Sequence, residues 1–428
     1  MDFKATCFLY CSTLIVILLS MFKKADYIQR GANFVRNKVF SSNKKLSTLM
    51  IYATDLCDSA CKHCLIWAKR PVVHIPKEKI YELVTENKCV TKNTRVGLEG
   101  GEFLLHPDAL EIMEWFHKNH PKFDLFTNCL KPDKAIAAVN QFPPEKLYVS
   151  LDGTKSTYKH MRGKDGYDSV IKVIDGCRKK VPVCVLFTLS PYNDFDDLKH
   201  VADICVEYGV DLRVGIYNNV NFFDTLDKAH ETNIGDEKND TALKFGDLKY
   251  LKEVSDATKE MKALEKNDIE HAKYNSNKVY DVMARSVPKI VSDFKENYDY
   301  LVLYDEWRNK KLRLKCFSIL DSVVVFPNGD VPICQYLDMK IGNVHTESLD
   351  SIFNKEETQK KQDLYVHNCN QCWLAFHRKY DVALYKNFEK IFGSWATSKT
   401  LGYYQWTDDA EKTYKTYFEE LQERINEQ

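Results

Sequence analysis

Between about Leu46 and Tyr217, six short apolar runs alternate with amphipathic stretches, and each run ends in polar or glycine-bearing residues. This alternation predicts repeated βα units around a parallel sheet, so the expected fold class is α/β. Six units are too few for a closed eight-stranded barrel. They suit an open, partial (β/α)6 barrel of the TIM-like kind, whose ligands would sit at the C-terminal ends of the strands.

The predicted strands are Leu49 to Ala53, Arg95 to Glu99, Asp124 to Thr127, Leu147 to Leu151, Val183 to Leu189 and Leu212 to Tyr217. Helical periodicity lies between them at Lys77 to Asn87, Pro107 to His120, Asp168 to Lys179 and Asp194 to Tyr208. From residue 218 to 313 the chain becomes rich in Lys, Asp and Glu. There Leu248, Leu251, Val254, Met261 and Leu264 share a helical face, which predicts a helical insertion packed on the barrel. A second cysteine-bearing unit spans 314–380, and 381–428 form a helical tail with Tyr414, Phe418, Leu421 and Ile425 on one face. No internal repeat and no low-complexity linker interrupts this order.

Residues 1–45 are an apolar segment followed by a basic linker. The run from Ala5 to Phe22 is flanked by Lys4 and by Lys23, Lys24, Arg30 and Arg36. It sits at the lower limit for a membrane span, so it reads as a candidate anchor or as a signal-like extension. If it spans, the basic flank places the body of the protein in the cytoplasm, where thiols stay reduced. The 61 Lys and Arg balance 61 Asp and Glu. No chain-wide field therefore draws the protein to nucleic acid.

Fourteen cysteines are too many for chance packing and too sparse for a small disulfide scaffold, which points to metal or redox chemistry. Cys7, Cys11, Cys89, Cys129, Cys177, Cys184 and Cys205 stand alone and read as small hydrophobes. Cys57, Cys61 and Cys64 differ: they follow the first strand with spacing Cys-x3-Cys-x2-Cys. Three thiolates from one loop leave one iron of a cubic cluster open, and an open iron can chelate a small molecule. The same three could join a zinc site with His63 or His74 as fourth ligand.

Together with the residues downstream, this loop resembles the radical S-adenosylmethionine (SAM) superfamily over roughly residues 46–217. Gly100-Gly101-Glu102 after the second strand matches the family's Gly-Gly-Glu segment, which implies contact with the methionyl amino group. Ser150 and Asp152, after the fourth strand, stand where polar groups reach the ribose or methionyl moiety. Arg162, in Met161-Arg162-Gly163, is then a candidate partner for the cofactor carboxylate. His63 stands where the family often has an aromatic residue and would lie against the adenine. The resemblance implies a [4Fe-4S] cluster that cleaves SAM to a 5'-deoxyadenosyl radical, which takes hydrogen from a substrate. It also implies a reducing partner such as flavodoxin or ferredoxin.

Cys316, Cys334, Cys369 and Cys372 form a second group with spacing Cys-x17-Cys-x34-Cys-x2-Cys. Between the first two lie an apolar run at Val323 to Phe326, an Asn328-Gly329 turn and a return segment. This reads as a hairpin that brings Cys316 and Cys334 together. The pattern is similar to the auxiliary-cluster extensions called SPASM and twitch, and four cysteines fit the shorter twitch form with one further [4Fe-4S] cluster. Structural zinc is the alternative. With no iron left open, a second cluster would accept an electron, which favours net oxidation of a small polar molecule such as a sugar or aminocyclitol. Modification of a peptide or protein side chain is the second reading.

Overall fold

The computed structural model describes residues 29–38, 43–64, 66–190, 192–216, 300, 303–304, 307, 312–335, 340–368, 372–401, 404–406 and 411–412. The expected apolar segment Ala5 to Phe22, nearly all of the helical insertion, the tail bearing Tyr414, and Cys369 lie outside the described residues. Among the described residues, no helix is long and apolar enough to cross a membrane.

Six parallel strands form in the predicted order: β1 (Thr48–Tyr52), β2 (Arg95–Glu99), β3 (Phe123–Thr127), β4 (Lys146–Ser150), β5 (Val183–Leu189) and β6 (Asp211–Ile216). β1 and β5 are almost wholly apolar, whereas the others alternate apolar residues with polar or glycine positions. Residues 29–38 form helix α1. The βα units supply α2 (Lys77–Thr85), α3 (Ala109–Asn119), α4 (Pro132–Gln141), α5 (Lys155–Arg162), α6 (Tyr167–Cys177) and α7 (Phe195–Tyr208). The ends of α7 are set locally. Asp194 and Asp197 form a reciprocal capping box, and Gly209 closes the helix in the left-handed conformation.

The second half of the chain enters the same sheet, which the expected six units did not include. After the short β7 (Leu312–Arg313), strand β8 (Ser322–Val325) pairs in parallel with β1, with Thr48 opposite Ser322 and Ile51 opposite Val325. The sheet therefore has seven strands in the order β6-β5-β4-β3-β2-β1-β8, a parallel half-barrel with β6 and β8 at its edges. The predicted hairpin is corrected accordingly. The turn at Asn328-Gly329 forms, with Phe326 N–H donating to the Asp330 carbonyl. But β9 (Asp330–Pro332) pairs antiparallel with β10 (Lys340–Asn343), and β8 forms its ladder with β1.

Helices α8 (Leu349–Asn354), α9 (Glu356–Asn368) and α10 (Ala375–Leu401, kinked at Gly393) follow, and β11 (Tyr404–Trp406) bridges β7 and β12 (Glu411–Lys412). α1 lies against this second half: Arg30 pairs with Asp321 at 3.4 Å and stacks on the Tyr380 ring.

Strand parity separates two environments. Leu49, Ile51, Val96, Leu98, Leu125, Leu147, Val149, Val185, Phe187 and Val214 join the helix-side core. Met50, Tyr52, Phe126, Val324 and Phe326 point to the concave side and pack beside Cys57 and Cys64. At the N-terminal end of the strands, the inward positions carry the ion pairs Arg95–Asp124 (2.8 Å) and Lys146–Asp211 (3.4 Å). One rung higher, Phe126 and Tyr148 stack at 4.5 Å to form a floor. Above that floor the inward residues Glu99, Ser150, Leu186, Thr188, Arg213 and Gly215 are half-buried, so the half-barrel keeps an accessible chamber at its C-terminal end.

Candidate active site

Cys57, Cys61 and Cys64 lie on the loop between β1 and a 3-10 turn at Ile66–Ala68. The chain after β2 forms one wall of this loop: Gly101 N–H donates to the Thr54 carbonyl at 2.7 Å and Glu102 N–H to that of Leu56 at 2.8 Å. No side chain fits there. A Cβ on Gly100 would sit 2.5 Å from the Thr54 oxygen at a φ of +149°, and one on Gly101 would sit 2.4 Å from the Leu56 oxygen. The end of α5 forms the other wall, with Ala60 N–H donating to Arg162 O and Lys62 N–H to Met161 O.

Hydrogen-bonding groups converge on the sulfurs. Ser59 Oγ lies 3.0 Å from Cys61 Sγ, Arg162 Nη1 lies 3.8 Å from the same sulfur, and Asn128 Nδ2 lies 3.8 Å from Cys57 Sγ. Burial, with Cys61 adding to it, pushes the Cys64 thiol up to about 12, and burial raises Cys57 as well. As free thiols these groups keep their protons. Cationic iron would reverse that preference, and the neighbouring donors suit anionic sulfur. The chemistry of the donor set and its glycine-lined cradle suits a three-thiolate iron-sulfur cluster, although the described side chains as they stand form no ready-made metal-binding group.

Other residues singled out in the sequence fall around this loop, but several are engaged by the protein itself. Glu102 caps the turn at Phe103–Leu105 and accepts from Leu104 N–H (3.2 Å), Thr127 Oγ1 (3.2 Å) and Asn128 N–H (2.6 Å). It ties β2 to the loop after β3. Asp152 receives Thr188 N–H at 2.8 Å and Arg162 Nε at 2.6 Å, so the guanidinium expected to be free for a ligand is held by a buried carboxylate. Only its Nη1 edge turns toward Cys61. Ser150 stays half-buried on the inward face. The His63 Nδ1 is buried without a hydrogen-bond partner. Burial and the nearby Arg162 lower its pKa to about 4, which keeps the ring neutral.

The sequence reading missed Tyr52, Glu99, Asn128, Arg213 and Gln335. Asn128 holds Asp58 at 2.9 Å and closes the loop after β3 over Cys57. The Tyr52 hydroxyl donates to the Glu99 carboxylate and accepts from Gln335 Nε2 at 3.1 Å. Burial pushes Glu99 up to about 7, against the pull of Tyr52 and of the Arg213 charge. The available signal was parity. Each of Tyr52, Glu99 and Arg213 is an inward position of its strand, and an ionisable residue there faces the chamber.

In the second group, Cys316 and Cys372 are buried and near enough for Cys372 to raise the Cys316 pKa, while Cys334 is half-buried. The segment after Cys372 is pinned by Trp373, whose Nε1 donates to the Tyr300 carbonyl at 2.9 Å while the Tyr300 hydroxyl donates back to the Trp373 carbonyl.

Comparison with known proteins agrees with this geometry. Residues 51–205 match the family model of the Radical SAM superfamily, and residues 316–373 match that of the SPASM iron-sulfur cluster-binding domain. The chain therefore belongs to the radical SAM enzymes. Within them it carries a C-terminal SPASM extension, and its cofactors are [4Fe-4S] clusters and S-adenosylmethionine. Among solved structures it is similar to SuiB of Streptococcus suis bound to S-adenosylmethionine, with 14% identity over 74% of this chain and 67% of that one and a TM-score of 0.49. It is also similar to anSMEcpe with bound AdoMet and a Cp18Cys peptide, with 16% identity over 83% of this chain and 98% of that one and a TM-score of 0.47. No curated protein sequence matches it.

Proposed function

We propose that this enzyme is a radical oxidoreductase that takes a hydrogen atom from a small polar molecule, such as a sugar or aminocyclitol. The observation that carries this reading is the chamber wall. A carboxylate (Glu99), a phenol (Tyr52) and a guanidinium (Arg213) face inward above the Phe126–Tyr148 floor. Tyr52 and Glu99 already pair with each other, and the hydroxyl or amine groups of a polar substrate would join that charged, hydrogen-bonding wall, which an apolar substrate would only desolvate.

In this reading Cys57, Cys61 and Cys64 hold one cluster, and Cys316, Cys334, Cys369 and Cys372 hold the second. Gly100, Gly101, Glu102, Ser150, Asp152, Arg162 and His63 frame the SAM site, with Glu102, Asp152 and Arg162 acting chiefly as its scaffold. When bound, the clusters supply the electron that breaks the carbon-sulfur bond of SAM, releasing the 5'-deoxyadenosyl radical, and an acceptor for the electron lost on substrate oxidation. The protein's own part is to hold the reacting carbon in a chamber that excludes water and to receive a proton. Loss of a hydrogen atom from a carbinol carbon, then of one electron and the hydroxyl proton, gives a carbonyl. Glu99 is placed to take that proton.

The test is anaerobic turnover of the reconstituted full chain with SAM, flavodoxin or dithionite as reductant, and a panel of carbon-deuterated monosaccharides and aminocyclitols. Deuterium appearing in 5'-deoxyadenosine with one of these is the expected result. Transfer only from a deuterated peptide pool would replace this reading with side-chain modification. With the substrate in hand, product formation is expected to rise with pH through about 7 as Glu99 ionises. Glu99→Gln should lose that rise while still cleaving SAM, and a pH profile equal to the wild type would remove Glu99 from the reaction.

A further inference from the structure

The first turns of α10, directly after Cys372, carry a buried polar group that the chemistry above does not use. Arg378 donates through Nε to the Cys372 carbonyl at 3.0 Å and through Nη1 to the Leu314 carbonyl at 2.7 Å. Asp381, paired with Arg378 at 3.4 Å, accepts from Phe317 N–H at 2.8 Å and Ser318 N–H at 3.2 Å. These two side chains clamp the segments on either side of Cys316 to the one that carries Cys372. Within the clamp, Ser318 Oγ lies 3.6 Å from Cys316 Sγ and 2.5 Å from His377 Nδ1.

The direction of these hydrogen bonds follows from the donors available. A metal-bound Cys316 is a thiolate and can only accept, so the Ser318 hydroxyl must donate to it. The serine oxygen is then free to accept from His377 Nδ1–H. His377 is buried, and Nε2 has no hydrogen-bond partner. A neutral ring with its single proton on Nδ1 meets both facts, because an Nε2–H there would be an unpaired buried donor. Burial, with the nearby charges of Arg378 and Arg30 adding to it, disfavours a second proton.

We propose that His377 is a positioning residue that acts through Ser318 to aim a hydrogen bond at Cys316 Sγ, and that this relay sets the reduction potential of the cluster held by the second cysteine group. The inference rests on the assignment of Cys316 to that cluster. Hydrogen bonds to ligand sulfur stabilise the more negative, reduced state and so raise the potential.

The experiment is an EPR-monitored redox titration of the reconstituted full chain, after iron and sulfide analysis, in wild type, Ser318→Ala, His377→Phe and His377→Asn. The SAM-responsive signal marks the first cluster. Ser318→Ala and His377→Phe should shift the midpoint of the other signal to more negative values and leave the SAM-responsive one in place. His377→Asn, whose amide can still donate to the serine, should recover part of the shift. Ser318→Ala removes a single oxygen, so it decides the matter even if the His377 variants fold poorly. Unchanged midpoints at full iron content would overturn the relay alone. A wild type that binds only one cluster would overturn the assignment of Cys316 itself, and the relay with it.

Discussion

Replacing Cys57, Cys61 and Cys64 together by alanine is expected to halve the bound iron and sulfide and to abolish 5'-deoxyadenosine formation from SAM. The three thiols share one loop, and Ser59 and Arg162 point hydrogen-bonding groups at the Cys61 sulfur while Asn128 points one at that of Cys57. Removing them takes away every thiolate of that cradle while the backbone bonds to Thr54, Leu56, Met161 and Arg162 remain. The fold should therefore survive, which a retained circular dichroism spectrum would show. The matched control is Cys316→Ala with Cys372→Ala. It should lose the other half of the iron and keep SAM cleavage. Full iron in the triple variant would refute the cradle, and so would undiminished deoxyadenosine.

Arg162→Met is expected to destabilise the protein by about 3–5 kcal/mol, the usual penalty for leaving one partner of a buried ion pair alone. Arg162 and Asp152 are both buried, and they meet at 2.5 Å. Asp152 also receives the Thr188 N–H, so it cannot turn toward solvent without breaking the link from β4 to β5. A double variant with Asp152→Asn leaves no bare buried charge and should regain much of the loss. Urea unfolding of the three variants beside wild type measures this. A shift of the single variant below about 1 kcal/mol would mean that water reaches Asp152 and that the pair does not brace the site.

Strand positions were legible because the helix-side face of each parallel strand is apolar and each run is bounded by polar or glycine-bearing residues. Arg95–Glu99 and Val183–Leu189 agree with their expected bounds to the residue. Helices α4 and α5 escaped notice for the opposite reason. α4 buries mainly small residues, Ala135, Ala138 and Val139, and α5 is strongly polar, with only Tyr158, Met161 and Arg162 buried. Strand β8 was read as half of a hairpin, since the Asn328-Gly329 turn is a local signal and its pairing with β1 is not.

The order of the apolar runs determined the parallel barrel by itself, and the cysteine spacings with the paired glycines carried the family resemblance that implies the chemistry, because a cluster needs a set number of thiolates and a parallel barrel a set alternation. What only the tertiary structure decided is how neighbouring, chemically similar residues divide the work. Glu99 and Glu102 lie three positions apart, yet one enters the chamber beside Tyr52 and the other caps a turn behind it. Arg162 could have reached for a ligand and instead holds Asp152. Those outcomes depend on strand parity and on partners distant in sequence, and a side chain's options close only when burial leaves it a single partner.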